Sequence, residues 1–199
     1  MRLFKDLYDR LKNPDISFER HMITFMSIIS EIALVIAMLS DILIGENRVE
    51  IIALGALIIG VPFITTLCLR YEKISLVGKL QVIALVFLVV PVTFFFGGGP
   101  LGGGVFWIAV SYMYVGLILS GEWRTFMVLA LSLISFIEYL VYYVKPDIVY
   151  VHTPEVMFND SLVSVILAGF IIYAMVCYQK MLFQNENKRA EEETKRAEE

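Results

Sequence analysis

Six apolar runs divide this chain, at residues 22–44, 49–69, 80–96, 104–119, 125–144 and 156–178. They leave it few ways to fold. A helix needs ~20 mostly apolar residues to cross ~30 Å of hydrocarbon. Composition points the same way: 58% of the 199 residues are hydrophobic and 18% are charged, with a mean hydropathy of +0.75. A soluble domain of this size keeps too much surface to hide so many apolar side chains. The expected fold is all-α, a polytopic bundle of six transmembrane helices. The run from Met22 is too long for the core of a cleavable signal peptide.

The third and fourth runs are the shortest, and they flank Gly97-Gly98-Gly99-Pro100-Leu101-Gly102-Gly103-Gly104. Glycine and proline at that density oppose helix, so a turn at the membrane surface is expected there. Basic residues set the orientation. With both termini in the cytoplasm, fourteen of the sixteen lysines and arginines fall inside, and only Arg48 and Lys145 fall outside. The expected location is the plasma membrane, multi-pass.

The two ends differ. Residues 1–20 mix Phe4, Leu7, Tyr8 and Leu11 with basic residues at helical spacing. That pattern suits an interfacial amphipathic segment, broken by Asn13-Pro14-Asp15 before the bundle of residues 21–179. The last span opens on Thr153-Pro154-Glu155, where threonine can cap, proline fits the first turn and glutamate suits the positive end of the dipole. No proline, and no glycine except Gly169, follows. The sixth span is therefore expected to continue through residues 180–199 as a charged, coiled-coil-like cytoplasmic helix. Phe183, Ala190 and Ala197 recur every seven residues there, a thin seam for a parallel homodimer. The pattern stops without a terminator, as if truncated before an output domain.

Catalytic signatures are missing. The sequence holds no phosphate loop, nucleophile elbow or His-Glu-x-x-His metal pattern. Cys68 and Cys177 lie in apolar runs without disulfide or metal spacing, and His21 and His152 fall on opposite sides of the membrane. No catalytic residue, metal, cofactor or nucleic-acid partner is expected in this chain. Ionisable groups at membrane depth are costly and mark either buried hydrogen bonds or function. Glu31, Asp41, Glu138 and Asp160 are such groups. Glu31 and Glu138 have a plain structural role open to them, hydrogen-bonded to hydroxyls on neighbouring helices. Trp107, Tyr114, Glu138, Tyr142, His152 and Asp160 are the expected ligand-binding set in the outer half of the bundle. An aromatic belt at the interface explains many of the tyrosines equally well.

Taken together, Asn13-Pro14-Asp15, Phe94-Phe95-Phe96-Gly97-Gly98-Gly99 with Gly102-Gly103-Gly104 and Trp107, Trp123-Arg124, the His152 loop and the tail of residues 186–194 carry a likeness. The chain resembles the N-terminal six-span sensor region of bacterial membrane histidine kinases of the gut Firmicutes type, hybrid kinases among them. The resemblance implies a membrane input domain. The kinase part, with its ATP and Mg and its downstream response regulator, would lie beyond this chain, so no catalytic residue carries over. Related regions also precede diguanylate cyclases. A passive dimeric membrane anchor and a small transporter are the other classes open to such a sequence.

Overall fold

The computed structural model describes residues 18–70 and 74–198, so the amphipathic leader and Asn13-Pro14-Asp15 lie outside the described residues. Among those described, every regular element is helical. They are α1 (Phe18–Ile44), α2 (Arg48–Arg70), α3 (Ile74–Ala84), a π-helical turn (Leu85–Val89), α4 (Val90–Phe96), α5 (Gly104–Ile118), α6 (Gly121–Val144) and α7 (Pro154–Glu198). Single 3₁₀ turns occur at Gly99–Leu101 and Pro146–Ile148.

Five helical segments are long and apolar enough to cross a membrane, as a multi-pass membrane protein requires: Arg20–Ile44, Arg48–Thr66, Ser75–Phe96, Gly121–Val144 and Pro154–Arg196. The fourth apolar run forms a shorter helix of 15 residues, α5. The glycine run delays its start, and Leu119 turns extended (φ −96°, ψ 149°) at its end. Large apolar side chains cover the outside. Ile36, Leu43, Ile59, Phe63, Phe136, Tyr143, Phe158 and Phe170 are all exposed, an apolar surface that a water-soluble monomer avoids.

Pro91 lacks an N–H, and its ring crowds the carbonyl one turn earlier. The helix meets it by widening into the π turn of Leu85–Val89, so Ser75–Phe96 stays one continuous span. At α7, the Thr153 hydroxyl accepts the N–H of Val156 at 3.4 Å and the Thr153 carbonyl accepts that of Met157 at 3.0 Å. With its first turn capped, α7 runs 45 residues, roughly 68 Å at ~1.5 Å per residue.

Helices α1, α2, α3–α4, α5 and α7 pack as a closed ring, α1 touching both α2 and α7, while α6 lies outside against α4 and α5. At one end, Tyr150 N–H donates to the Phe95 carbonyl at 2.8 Å, and the ring of His152 meets the Phe96 carbonyl at 2.9 Å. These bonds tie the 145–153 connection to the glycine run; we call this the glycine end. At the opposite end Phe25 stacks on Tyr178 at 3.9 Å, and the Lys79 ammonium sits 5.1 Å from the Trp123 ring centre.

The glycine run turns the chain, as expected. It does so as a packed seam, with every glycine from Gly97 to Gly104 buried. It also holds a short helix at Gly99–Leu101 after Gly98 takes a positive φ of 88°, a conformation that glycine adopts without steric cost.

Candidate functional site

The ring of helices surrounds a partly open cavity of about 100 Å³. One stripe from each wall lines it: Ser30, Ala33, Ala37 and Asp41 on α1, Glu50, Leu54, Leu57 and Val61 on α2, and Gln81, Ala84 and Thr93 on the α3–α4 span. Trp107, Val110 and Tyr114 on α5 complete it with Asp160, Ser164, Leu167, Ile171 and Met175 on α7. The intervals of three and four residues are those of one helix face. No residue of α6 contributes.

The floor is a closed hydrogen-bond network. Tyr114 Oη donates to Gln81 Oε1 at 3.0 Å and accepts from Ser30 Oγ at 3.2 Å. Gln81 Nε2 donates to Ser27 Oγ at 2.8 Å and Thr65 Oγ1 at 3.4 Å. Every side-chain hydrogen-bonding group of Gln81 is thereby engaged, so the floor is fixed rather than waiting for a partner.

The glycine end is the reverse: acidic and incompletely paired. Asp41, Glu46, Glu50 and Asp160 lie close enough to feel one another's charge. Asp160 is held by the Gly103 N–H at 2.5 Å and the Ser164 hydroxyl at 3.1 Å. Glu50, 6% exposed, has a buried Oε2 without a hydrogen-bond partner. The absent side chains of the glycine run make room for these carboxyls. A Cβ on Gly97 would stand 3.1 Å from both Glu50 oxygens, and one on Gly103 would stand 2.7 Å from Asp160 Oδ1.

Glu46, in the α1–α2 connection, is buried 2.5 Å from His152 Nε2. The Phe96 carbonyl beside that nitrogen can only accept, so Nε2 carries a hydrogen. Burial first, and next the charges of Asp160 and Asp41, push the Glu46 carboxyl up to about 8. Among the described residues no lysine, arginine or histidine lines the cavity, and Arg48 and Lys145 are exposed. Among the described residues no group of three or more His, Cys, Asp or Glu side chains could hold a metal ion.

The expected ligand-binding set therefore separates. Trp107, Tyr114 and Asp160 meet on the cavity, and His152 stands behind its acidic end on Glu46. Tyr114 sits on the floor, ten residues into α5 and ~15 Å from its start, rather than near the surface. Glu138 and Tyr142 belong to α6 and do not line the cavity. Glu138 is 2% exposed with both oxygens unpartnered, and Glu31 Oε2 is likewise unpartnered, so these oxygens lack the expected hydroxyl partners. Phe183 and Ala190 are exposed along α7, and Ala197 falls in its last turn.

Reading the sequence missed Glu46, Glu50 and Gln81. A signal for two of them was present: Gln81 is a lone amide inside an apolar run, and Glu50 begins the spacing Glu50-Leu54-Leu57-Val61 on one helix face.

No family model, curated protein or solved structure matches this chain.

Proposed function

We propose that this chain is the membrane-embedded input region of a signal-transducing receptor. In this reading six spans cross the plasma membrane, the glycine end faces outward, and both termini are cytoplasmic, as the basic residues require. One observation carries the proposal: the helix that walls the cavity is the helix that leaves the bundle. Asp160, Ser164, Leu167, Ile171 and Met175 face the cavity, and α7 continues without a break to Glu198. A change in what fills the cavity acts on the far end of that rod without crossing a loop. An occupant shifts the rod only if it binds two of its positions with different affinity. The output module coupled to such a rod is a histidine kinase in this reading, and two protomers pair along Phe183, Ala190 and Ala197.

The test fills the cavity from α1, the wall beside α7. With the tail joined in helical register to a histidine-kinase catalytic core, Ala37→Phe places a ring in the cavity, whereas Ile36→Phe places the same ring on an exposed face. Autophosphorylation should change several-fold for Ala37→Phe and stay unchanged for Ile36→Phe. Equal rates in both variants and the parent would leave a passive anchor. Solute flux through liposomes bearing the parent would favour a transporter instead.

A further inference from the structure

The chemistry of the cavity names its guest. Its middle is apolar, walled by Ala33, Leu54, Leu57 and Leu167, with the indole of Trp107 on one side. Its floor makes no demand, because Gln81 and Tyr114 already satisfy each other and their neighbours. Its glycine end presents three carboxyls, Asp41, Glu50 and Asp160, and among the described residues no basic side chain lines it, His152 standing behind it on Glu46. Asp41 and Glu50 are 7% and 6% exposed, and Glu50 Oε2 has nothing to bond. An isolated buried carboxylate is costly, and several facing one another are costlier, unless a positive partner joins them. Among the described residues no lysine, arginine or histidine lines the site to do so. A bare metal ion fits poorly, since no cluster of ligating side chains suitable for one occurs among the described residues.

We propose that this cavity binds a small organic cation, an ammonium group on an apolar body of a few carbons. The head lies among Asp41, Glu50 and Asp160, where it takes up the free Glu50 oxygen. The body lies along Trp107 and the leucines. Size follows from the volume: an apolar protein cavity of about 150 Å³ accepts benzene, and this one is about 100 Å³, so the body is smaller than a ring. The indole favours the arrangement, since an aromatic face attracts a nearby cation. The inference deepens the receptor reading by naming the chemical class of the signal, and it rests on the same cavity.

The test is a binding measurement on the purified full chain in phosphatidylcholine nanodiscs, whose surface carries no net charge. The chain has two tryptophans, so Trp123→Phe leaves Trp107 as the sole indole reporter. Propylammonium is titrated against 1-propanol, which has the same carbon chain without the charge, and against sodium and potassium chloride. The expected result is a saturable change in Trp107 emission, at least ~10-fold tighter for propylammonium than for the alcohol. Glu50→Gln and Asp41→Asn should each weaken it by ~10-fold or more, because each removes a charge-assisted partner. Asp147→Asn removes an exposed charge from the 145–153 connection and should leave it within about twofold.

Equal affinity for alcohol and ammonium overturns the proposal, as does saturation by sodium or potassium alone, or no saturation by ~10 mM propylammonium. If a carboxyl variant fails to fold, the comparison of the two probes on the Trp123→Phe protein still decides. The kinase assay with cavity-filling variants contains no amine. Failure here with success there would remove the ligand class and keep the receptor, and the converse would keep a binding site without an output.

Discussion

Gly102 is where a single methyl group should do most damage. A Cβ there would stand 1.7 Å from the Gly97 carbonyl oxygen and 2.8 Å from its carbon. Ordinary contact begins near 3.4 Å, so the new atom falls about 1.7 Å short of it. Both obstructing atoms are backbone, and no rotamer change relieves them. The run must open, and in opening it draws Gly103 N–H away from Asp160 Oδ2. Overpacking of this kind costs ~1–3 kcal/mol. Losing a hydrogen bond to a charged group costs a further ~1.5–3 kcal/mol. Gly102→Ala should therefore destabilise the bundle by ~3–5 kcal/mol. Gly116, inside α5, is the control, since a Cβ there meets nothing within 4 Å. Gly116→Ala should be neutral or stabilise by up to ~1 kcal/mol through helix propensity. The assay is reversible unfolding of the purified protein in mixed micelles of mild detergent and dodecyl sulfate, followed by circular dichroism. Indistinguishable midpoints for the two variants would refute the account of the glycine run as a seam closed by direct backbone contact.

Other predictions follow from the same structure. Glu46 holds its proton up to about 8 when folded, against 4.5 for the free side chain, with His152, Asp41, Glu50 and Asp160 around it. Its contribution to stability is therefore full below pH 4.5 and lost as pH rises toward about 8, so the melting temperature should fall across that window and Glu46→Gln should flatten the fall; a parent already flat between these limits would count against it. Single cysteines at position 190 should crosslink two protomers more readily than cysteines at 188 or 192, whereas equal yields around the helix would remove the paired seam. In a chain with Cys68 and Cys177 replaced by serine, cysteines at 48, 101 and 151 should react with an impermeant maleimide on intact cells and one at 73 should not. Labelling at 73 would invert the orientation.

How far the sequence reaches is clearest at α7. Thr153-Pro154-Glu155 marks its start, and the lack of breakers after it foretells the continuous rod, because capping and helix propagation are local properties. The apolar runs likewise place the helices to within a few residues. Pro91 was legible as an irregularity but not as a π turn, which depends on how the widened helix packs. The cavity lay further out of reach. Helical spacing tells which residues share a face, not which face meets which neighbour. Glu138 and Asp160 looked alike as carboxyls near one end of adjacent spans, yet α6 stands outside the ring and only Asp160 lines the cavity. Glu46 lies in a short polar connection that carries no sequence signal of burial, yet it is buried against His152 of the 145–153 connection.

The central claim is that what fills the cavity moves the far end of α7. The direct measurement is the distance between spin labels at positions 79 and 188, one midway along α3 and one on the exposed rod, by double electron–electron resonance in nanodiscs. In the cysteine-free parent, in Ile36→Phe and in Ala37→Phe, the account predicts two coincident distributions and one displaced. The displaced one is Ala37→Phe, by ~1–2 Å or more, the scale of helix shifts in switching proteins. Three superimposed distributions would contradict it.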